Sequence, residues 1–561
     1  MGLGLHEAMA RVTTPGQLFE VVERRRGEVS QRAFINAPRS LRDVAAGARG
    51  ANGTFLVYEG EEWSFDDVMR GADEFADALV QHFDVRRGDR VAIAMRNLPE
   101  WVVAFVATVS IGGIAVPLNA WWTSHEMDFA LGDAEPTVVV CDPERCERVL
   151  EICRRREVPV VLARGDVTLA APAGVLHWVD VVRQGARMPE VEVGPDDDAT
   201  ILYTSGTSGQ PKGAVSTHDA ICQTLMAFST GLIVEGDRRG PRDHPAGYPT
   251  CFILIVPLFH VTGCVPVMLS CLAWQFTLVM VHHWDPEVAL ALIERHRVTN
   301  VVGVPTQALD LVDIADHGRF DTSSLVTVGG GGAPAPSSLV GRVERVFDNA
   351  RPNLGFGMTE TNAYGPQIYG DDYLERPTST GQTPTCVMDV QIRDDRGAVR
   401  GPDEVGEVWV SGPTLMRGYW RQPEATSAAL VDGWLRTGDL GRLDGEGFLY
   451  IEDRAKDMIL RGGENVYCAE VESVIYEHPA VLETAVCGLP DARLGECVAA
   501  VVVLRDEASL DEIALRDFVA ERLARYKVPT RIALTTARLP RGATGKVSKS
   551  ALAELYFRSA P

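Results

Sequence analysis

One short segment gathers the groups that could hold a polyphosphate: Tyr203-Thr204-Ser205-Gly206-Thr207-Ser208-Gly209-Gln210-Pro211-Lys212-Gly213. Its glycines let backbone wrap closely around a ligand, its hydroxyls and N–H groups donate to anionic oxygens, and its lysine neutralises them. The lysine is rare. Only Lys212, Lys456, Lys527, Lys546 and Lys549 occur among the 54 Lys and Arg residues of the chain. Where arginine supplies nearly all the positive charge, a lysine marks a place that needs a compact ammonium rather than a planar guanidinium. The segment does not fit the G-x-x-x-x-G-K-[ST] nucleotide loop, because Gly206 and Lys212 are wrongly spaced and Gly213 stands where Ser or Thr belongs.

Further segments complement this phosphate cradle. Gly329-Gly330-Gly331-Gly332-Ala333-Pro334 follows a strand expected over 325–328 and leaves bare backbone against which a flat or bulky group could lie. Gly355-Phe356-Gly357-Met358-Thr359-Glu360 sets an aromatic ring, a hydroxyl and a carboxylate close together. A base could stack on the ring while Glu360 holds Mg²⁺ against phosphate oxygens. Thr437-Gly438-Asp439 is a turn whose acceptor-only carboxylate suits ribose hydroxyls. Pro540-Arg541-Gly542-Ala543-Thr544-Gly545-Lys546 presents a second rare lysine on a glycine-containing loop.

The elements that must position these groups are α/β almost throughout. A helix expected over 64–83, opened by the cap-like Ser64, alternates with β-branched strands expected over 90–94, 136–140 and 159–162. Continuous apolar strands of this kind predict parallel sheets covered by helices on both faces. After about residue 385 the texture changes to strands separated by Asp/Gly turns, which predicts a smaller antiparallel barrel or sheet. Residues 453–561 read as a compact α/β unit of their own, with helices over 469–477 and 509–523 and strands over 481–488 and 497–504. The expected boundary is therefore 1–452 and 453–561, marked by Glu452-Asp453-Arg454-Ala455-Lys456-Asp457, a stiff charged joint suited to a pivot.

Composition narrows the classes. A chain of 561 residues is too long for one core. A net charge of −23 argues against a nucleic-acid partner or a polybasic membrane anchor. Eleven cysteines without a CxxC pair read as reduced thiols of a cytoplasmic protein. The N-terminus lacks a basic region followed by an apolar stretch, which argues against export. Two apolar runs, 101–118 and 251–272, reach membrane-spanning length, but Gly112, Gly113, Pro117, Pro257, His260 and Pro266 break them into buried core elements.

Taken together and in this order, the segments resemble the adenylate-forming superfamily of acyl-CoA synthetases, nonribosomal adenylation domains and luciferases, with the acyl-CoA synthetase branch nearest. The likeness runs from about Phe55 to Leu552. It implies a large N-terminal domain of two helix-covered sheets with a small β subdomain, and a small mobile C-terminal domain. It also implies a two-step reaction with ATP, CoA and Mg²⁺. A carboxylate attacks the α-phosphorus to give acyl-AMP, the C-terminal domain swings, and the CoA thiol takes the acyl group.

By position, the resemblance assigns Thr204, Ser205, Gly206, Thr207, Ser208, Gly209 and Lys212 to the β- and γ-phosphates, and Glu360 to Mg²⁺. The adenine and acyl pocket falls to Gly331, Gly332, Ala333, Pro334, Gly355, Phe356, Gly357, Met358 and Thr359. Asp439 and Arg454 match the ribose pair, Lys546 the catalytic lysine, Lys456 the hinge, and Gly462, Gly463 and Asn465 the loop that moves in for thioester formation. His260 matches a position beside the acyl tunnel.

This chain departs from the usual pattern at Phe356, where tyrosine is commonest, at Asp453 before Arg454, and at Leu460, where some aryl-CoA ligases carry lysine. A carrier-protein phosphopantetheine is the rival acceptor, and the end at Ser559-Ala560-Pro561 without a carrier domain favours free CoA. A non-catalytic nucleotide-binding relative is the reading from another class, and Lys212, Glu360, Asp439, Arg454 and Lys546 together argue against it. The glycines at 329–332 and 355 point to a medium- or long-chain fatty acid or a bulky ring-bearing acid. A homodimer and a lysine acetyltransferase acting on Lys546 are the candidate macromolecular partners.

Overall fold

The computed structural model describes residues 4–26, 29–168, 171–204, 211–239, 247–315, 318–333, 335–454, 457–461, 464–491, 493–506, 508–541 and 547–557. Two eight-stranded sheets form the bulk of the chain. The first runs Gly418–Tyr419, Lys212–Thr217, Asp198–Thr204, Ile114–Pro117, Arg90–Ala94, Val138–Cys141, Val160–Leu162 and Val175–His177. The second runs Gln367–Tyr369, Arg351–Gly355, Thr327–Gly331, Asn300–Gly303, Cys251–Leu254, Thr277–Met280, Thr54–Tyr58 and Glu61–Ser64. Both have the expected parallel centres. Antiparallel pairs flank these centres at one end of the first sheet and at both ends of the second, and the expected phosphate loop joins one such pair, Asp198–Thr204 with Lys212–Thr217.

Helices Phe65–Gln81 and Pro99–Ser110 lie in the core between the sheets. Ser64 caps the first, accepting from Asp67 N while Asp67 accepts from Ser64 N. That reciprocal pair satisfies two otherwise unpartnered donors and starts the helix where the sequence predicts. The second helix buries every residue but Glu100, as an element enclosed on all sides must. This explains the apolar run at 101–118, which continues into strand Ile114–Pro117. The run at 251–272 divides into strand Cys251–Leu254 and a helical stretch beginning at Gly263. Among the described residues no helix is long and apolar enough to cross a membrane.

A six-stranded antiparallel sheet follows, ordered Ser379–Gln382, Phe448–Arg454, Trp434–Leu443, Gly406–Ser411, Asp389–Arg393, with Leu430–Val431 paired to Trp434–Leu443. The last sheet draws only on residues 459–535: Glu464–Val466, Ile459–Arg461, Gly495–Leu504 and Val481–Asp491, with Arg531–Thr535 alongside Gly495–Leu504. Helices Cys468–Tyr476 and Glu512–Ala520 pack on it around a separate apolar cluster.

Candidate active site

Antiparallel pairing sets Thr204 opposite Lys212 and Tyr203 opposite Gly213. Thr204 Oγ1 donates to the Lys212 carbonyl at 3.4 Å. The cradle is thus the connection between two neighbouring antiparallel strands, and its base is fixed. Tyr203 OH donates to Asp133 Oδ2 at 2.7 Å, and Trp420 Nε1 donates to the Asp133 carbonyl at 3.1 Å. The tip residues Ser205, Gly206, Thr207, Ser208 and Gly209 lie outside the described residues.

Lys212 and Glu360, distant in sequence, are joined by a residue that sequence reasoning missed. The Lys212 Nζ lies 5.0 Å from the centre of the Tyr419 ring, a cation–π distance. Tyr419 OH donates to Glu360 Oε1 at 2.8 Å. Glu360 is 5% exposed and sits in a single 3₁₀ turn, Thr359–Thr361, that Thr361 ties back to Met358 N at 3.1 Å. Burial and Glu360 push the Tyr419 hydroxyl well above the ordinary tyrosine range, so it remains a donor at neutral pH. The available signal was the Arg417-Gly418-Tyr419-Trp420 run, but only a long-range strand pairing gives it meaning.

The adenine-side segments also meet. Gly331 pairs with Gly355 at the carboxyl ends of adjacent parallel strands, where open α/β sheets bind their ligands. The reason for the glycines differs from the expectation. They belong to strand Thr327–Gly331 rather than to a bare loop. A Cβ on Gly330 would stand 1.8 Å from Gly303 O, on Gly329 2.1 Å from Asn353 O, and on Gly331 2.4 Å from Gly355 O. These three glycines let neighbouring backbones approach, so they are no measure of room for an acyl group. Gly332 and Ala333 continue past the strand end, and Pro334 lies outside the described residues. Phe356 is 9% exposed within an apolar cluster, which leaves little of its ring for a base to stack on. Gly357 has no space for a side chain, since a Cβ there would meet Ala363 O at 2.2 Å. Met358 packs partly buried against the cluster that holds Phe356.

With this geometry in place, similarity to known proteins decides the family. The AMP-binding enzyme family model matches residues 43–420, and the AMP-binding enzyme C-terminal domain model matches residues 470–546. The chain belongs to the AMP-binding enzyme family. It is 34% identical over 499 residues to the long-chain-fatty-acid–CoA ligase FadD13 of Mycobacterium tuberculosis, covering 87% of this chain and 92% of that one. It is 35% identical over 500 residues to the feruloyl-CoA synthase of an Amycolatopsis species, covering 88% and 94%. The o-succinylbenzoate CoA synthetase of Bacillus subtilis, solved with its acyl-adenylate intermediate, superposes with a TM-score of 0.77 at 30% identity, covering 92% of this chain and 98% of that one. The chain is thus an ATP-dependent acyl-CoA ligase, as its motifs led one to expect.

The remaining candidate residues of this AMP-binding enzyme come from separate segments of the chain. Asp439 stands opposite Arg454 across two antiparallel strands, so the expected ribose pair is adjacent in backbone register, although the Arg454 side chain is outside the description. Asp439 N donates to Thr437 Oγ1 at 3.1 Å, and the turn expected over Thr437-Gly438-Asp439 is instead part of strand Trp434–Leu443. His260 closes the turn that starts at Pro257 and receives Thr262 N at Nδ1, 3.4 Å away. Its neighbour Phe259 packs edge-on against Trp121, 5.1 Å between ring centres. Asn465 is exposed and pairs with Leu460. Lys456, Gly462, Gly463 and Lys546 lie outside the described residues.

Lysine scarcity proves a weaker guide than expected. Lys527 Nζ binds both Glu470 oxygens at 2.7 Å, and Lys549 Nζ pairs with Glu472 at 3.0 Å. Both serve the packing of the C-terminal unit rather than a ligand.

Proposed function

We propose that this ligase activates an apolar carboxylic acid, a medium- or long-chain fatty acid or a bulky ring-bearing one, and passes it to coenzyme A. The observations that carry the reading are the assembly of Lys212, Tyr419 and Glu360 and the uncharged residues that follow the strand ends of the second sheet. The strands ending at Leu254, Gly303, Gly331 and Gly355 are neighbours or near neighbours in one sheet. They continue into Ile255, Val304, Gly332 and Phe356, none of which can pair with a second carboxylate.

In the first step the substrate carboxylate attacks the α-phosphorus of ATP, the bond to the β-phosphate oxygen breaks, and pyrophosphate leaves with its electrons. Lys212 and the donors of the cradle stabilise the β- and γ-phosphates. Lys546 bridges the carboxylate and α-phosphate as charge develops, a preorganised charge of the kind that contributes most in such steps. Glu360, a buried carboxylate oriented by Tyr419, fits Mg²⁺ held by one protein carboxylate and phosphate oxygens. When bound, Mg²⁺ supplies charge neutralisation at the phosphates. Asp439 and Arg454 hold the ribose.

In the second step the CoA thiol, losing its proton, attacks the acyl carbonyl and AMP leaves. The C-terminal unit, expected from residue 453 although strand Phe448–Arg454 runs two residues past that boundary, swings between the steps about Lys456, bringing Gly462, Gly463 and Asn465 to the thiol. Acetylation of Lys546 would remove its charge and stop the first step, which mass spectrometry of protein from its native cells would reveal.

The test is incubation with ATP, CoA and a panel running from acetate through straight-chain acids of rising length to aromatic and fused-ring acids, measuring AMP and thioester. Thioester in step with AMP for the apolar acids is expected. Turnover confined to acetate or to dicarboxylic acids would overturn the substrate class.

A further inference from the structure

Tyr419 stands between the two groups that the proposed chemistry assigns to the triphosphate. Its ring lies under the Lys212 ammonium and its hydroxyl donates to Glu360. The backbone holds it from both sides. Tyr419 pairs with Ala214. Arg417 N donates to Val215 O at 2.7 Å and Trp420 N to Gly213 O at 2.8 Å. Arg417 adds two bonds to Asp198, at 2.7 and 2.9 Å. Met416 N donates to the Glu360 carbonyl at 2.8 Å. Residues 416–420 therefore clamp the Lys212 strand and the Glu360 turn at once, and the Tyr419 side chain completes the link between the charged ends.

We propose that Tyr419 is the positioning residue that makes Lys212 and Glu360 act as one unit on the triphosphate. Its hydroxyl holds the Glu360 carboxylate in one orientation for Mg²⁺. Its ring is the floor on which the Lys212 ammonium rests while the ammonium protons serve the phosphates. A ring alone would take away the hydrogen bond that Tyr419 gives Glu360, and a hydroxyl alone would take away the face against which the Lys212 ammonium lies. Tyrosine supplies both functions from one rigid side chain. The proposal rests on the assignment of Lys212 to phosphate and of Glu360 to Mg²⁺, and the variants below separate the two.

ATP binding is measured by calorimetry without acid or CoA, once in EDTA and once in saturating Mg²⁺. Tyr419→Phe keeps the ring and loses the hydroxyl. Its affinity in EDTA is expected to match wild type, while the gain from Mg²⁺ falls roughly tenfold, the worth of one hydrogen bond to a charged group. Tyr419→Leu loses the ring as well, and its affinity in EDTA is expected to fall about two- to fivefold. In a Glu360→Gln background Tyr419→Phe should change the Mg²⁺ gain no further. In a Lys212→Met background Tyr419→Leu should change the EDTA affinity no further. Independent losses in those backgrounds, or an undiminished Mg²⁺ gain in Tyr419→Phe, would overturn the proposal. Circular dichroism of each variant guards the reading, and a Tyr419→Phe loss that follows unfolding rather than Mg²⁺ counts against it. If Glu360→Gln binds MgATP like wild type, or Lys212→Met binds ATP like wild type, the underlying assignment fails instead.

Discussion

Removing Arg541 should loosen the C-terminal sheet far more than an arginine that is partly exposed suggests. Glu483 lies in strand Val481–Asp491 with only 2% of its surface exposed, and Arg541 is its ion-pair partner. Among the described residues the other donor to it is Leu539 N, at a long 3.4 Å. Arg541→Ala would leave a buried carboxylate without its countercharge, which costs about 3 kcal/mol or more. Local opening of that sheet should rise on the order of a hundredfold. Amide hydrogen exchange read by mass spectrometry isolates the effect in strands Val481–Asp491 and Gly495–Leu504. Tryptophan fluorescence supplies the internal control, because all ten tryptophans lie at or before Trp434, so its unfolding transition should not move. Arg541→Met with Glu483→Leu should restore most of the protection, since an apolar pair of similar volume often replaces a buried ion pair without loss. Arg541 also bridges Val547 across the segment that carries Lys546, so acyl-adenylate formation should fall with the protection. An exchange change below about threefold in Arg541→Ala would refute the reasoning.

Other outcomes follow from single groups. Burial lowers His218, fully enclosed and accepting Leu41 N at Nδ1, from its ordinary 6.5 to about 4, with Asp197 and Asp43 opposing the shift and Arg87 adding to it. The unfolded chain takes up that proton first, so the contribution of neutral His218 is present above pH 6.5 and is lost as pH falls toward 4. Denaturation at about pH 7 and about pH 5 should differ by about 2 kcal/mol from this group, and His218→Gln should flatten that slope; an unchanged slope would show that His218 is not the titrating group. Lys546→Ala should cut acyl-adenylate formation by ~10²–10³ while thioester formation from supplied acyl-AMP changes much less; equal damage to both halves would remove Lys546 from its role. Lys456→Pro fixes φ at the proposed pivot, so adenylation should persist while CoA transfer drops, and wild-type turnover would place the pivot elsewhere.

Much of the site was legible because its parts are local in sequence. The strand before Thr204 and the capped start at Ser64 each depend on neighbours within a few residues, whereas the turn expected at Asp439 is part of the continuous strand Trp434–Leu443. The pairing of Gly331 with Gly355 follows from adjacent parallel strands, which the alternation of helices and strands predicts. Tyr419 was illegible because its role arises from a strand pairing with Ala214 far away in the chain. The glycines at 329–331 misled for a related reason. Their side chains are absent to admit Gly303, Asn353 and Gly355, a requirement set by neighbouring strands that no single segment displays. Rarity likewise told less than contact did, since Lys527 and Lys549 are answered by Glu470 and Glu472.

Acid-dependent exchange of labelled pyrophosphate into ATP, measured without CoA, tests the central claim most directly. It reports reversible acyl-adenylate formation alone, before any acceptor or domain movement enters. Exchange should appear with apolar long-chain or ring-bearing acids, and should collapse in Lys212→Met and Glu360→Gln. Exchange that needs no acid, or its absence with every acid while CoA thioester still forms, would contradict the adenylate route.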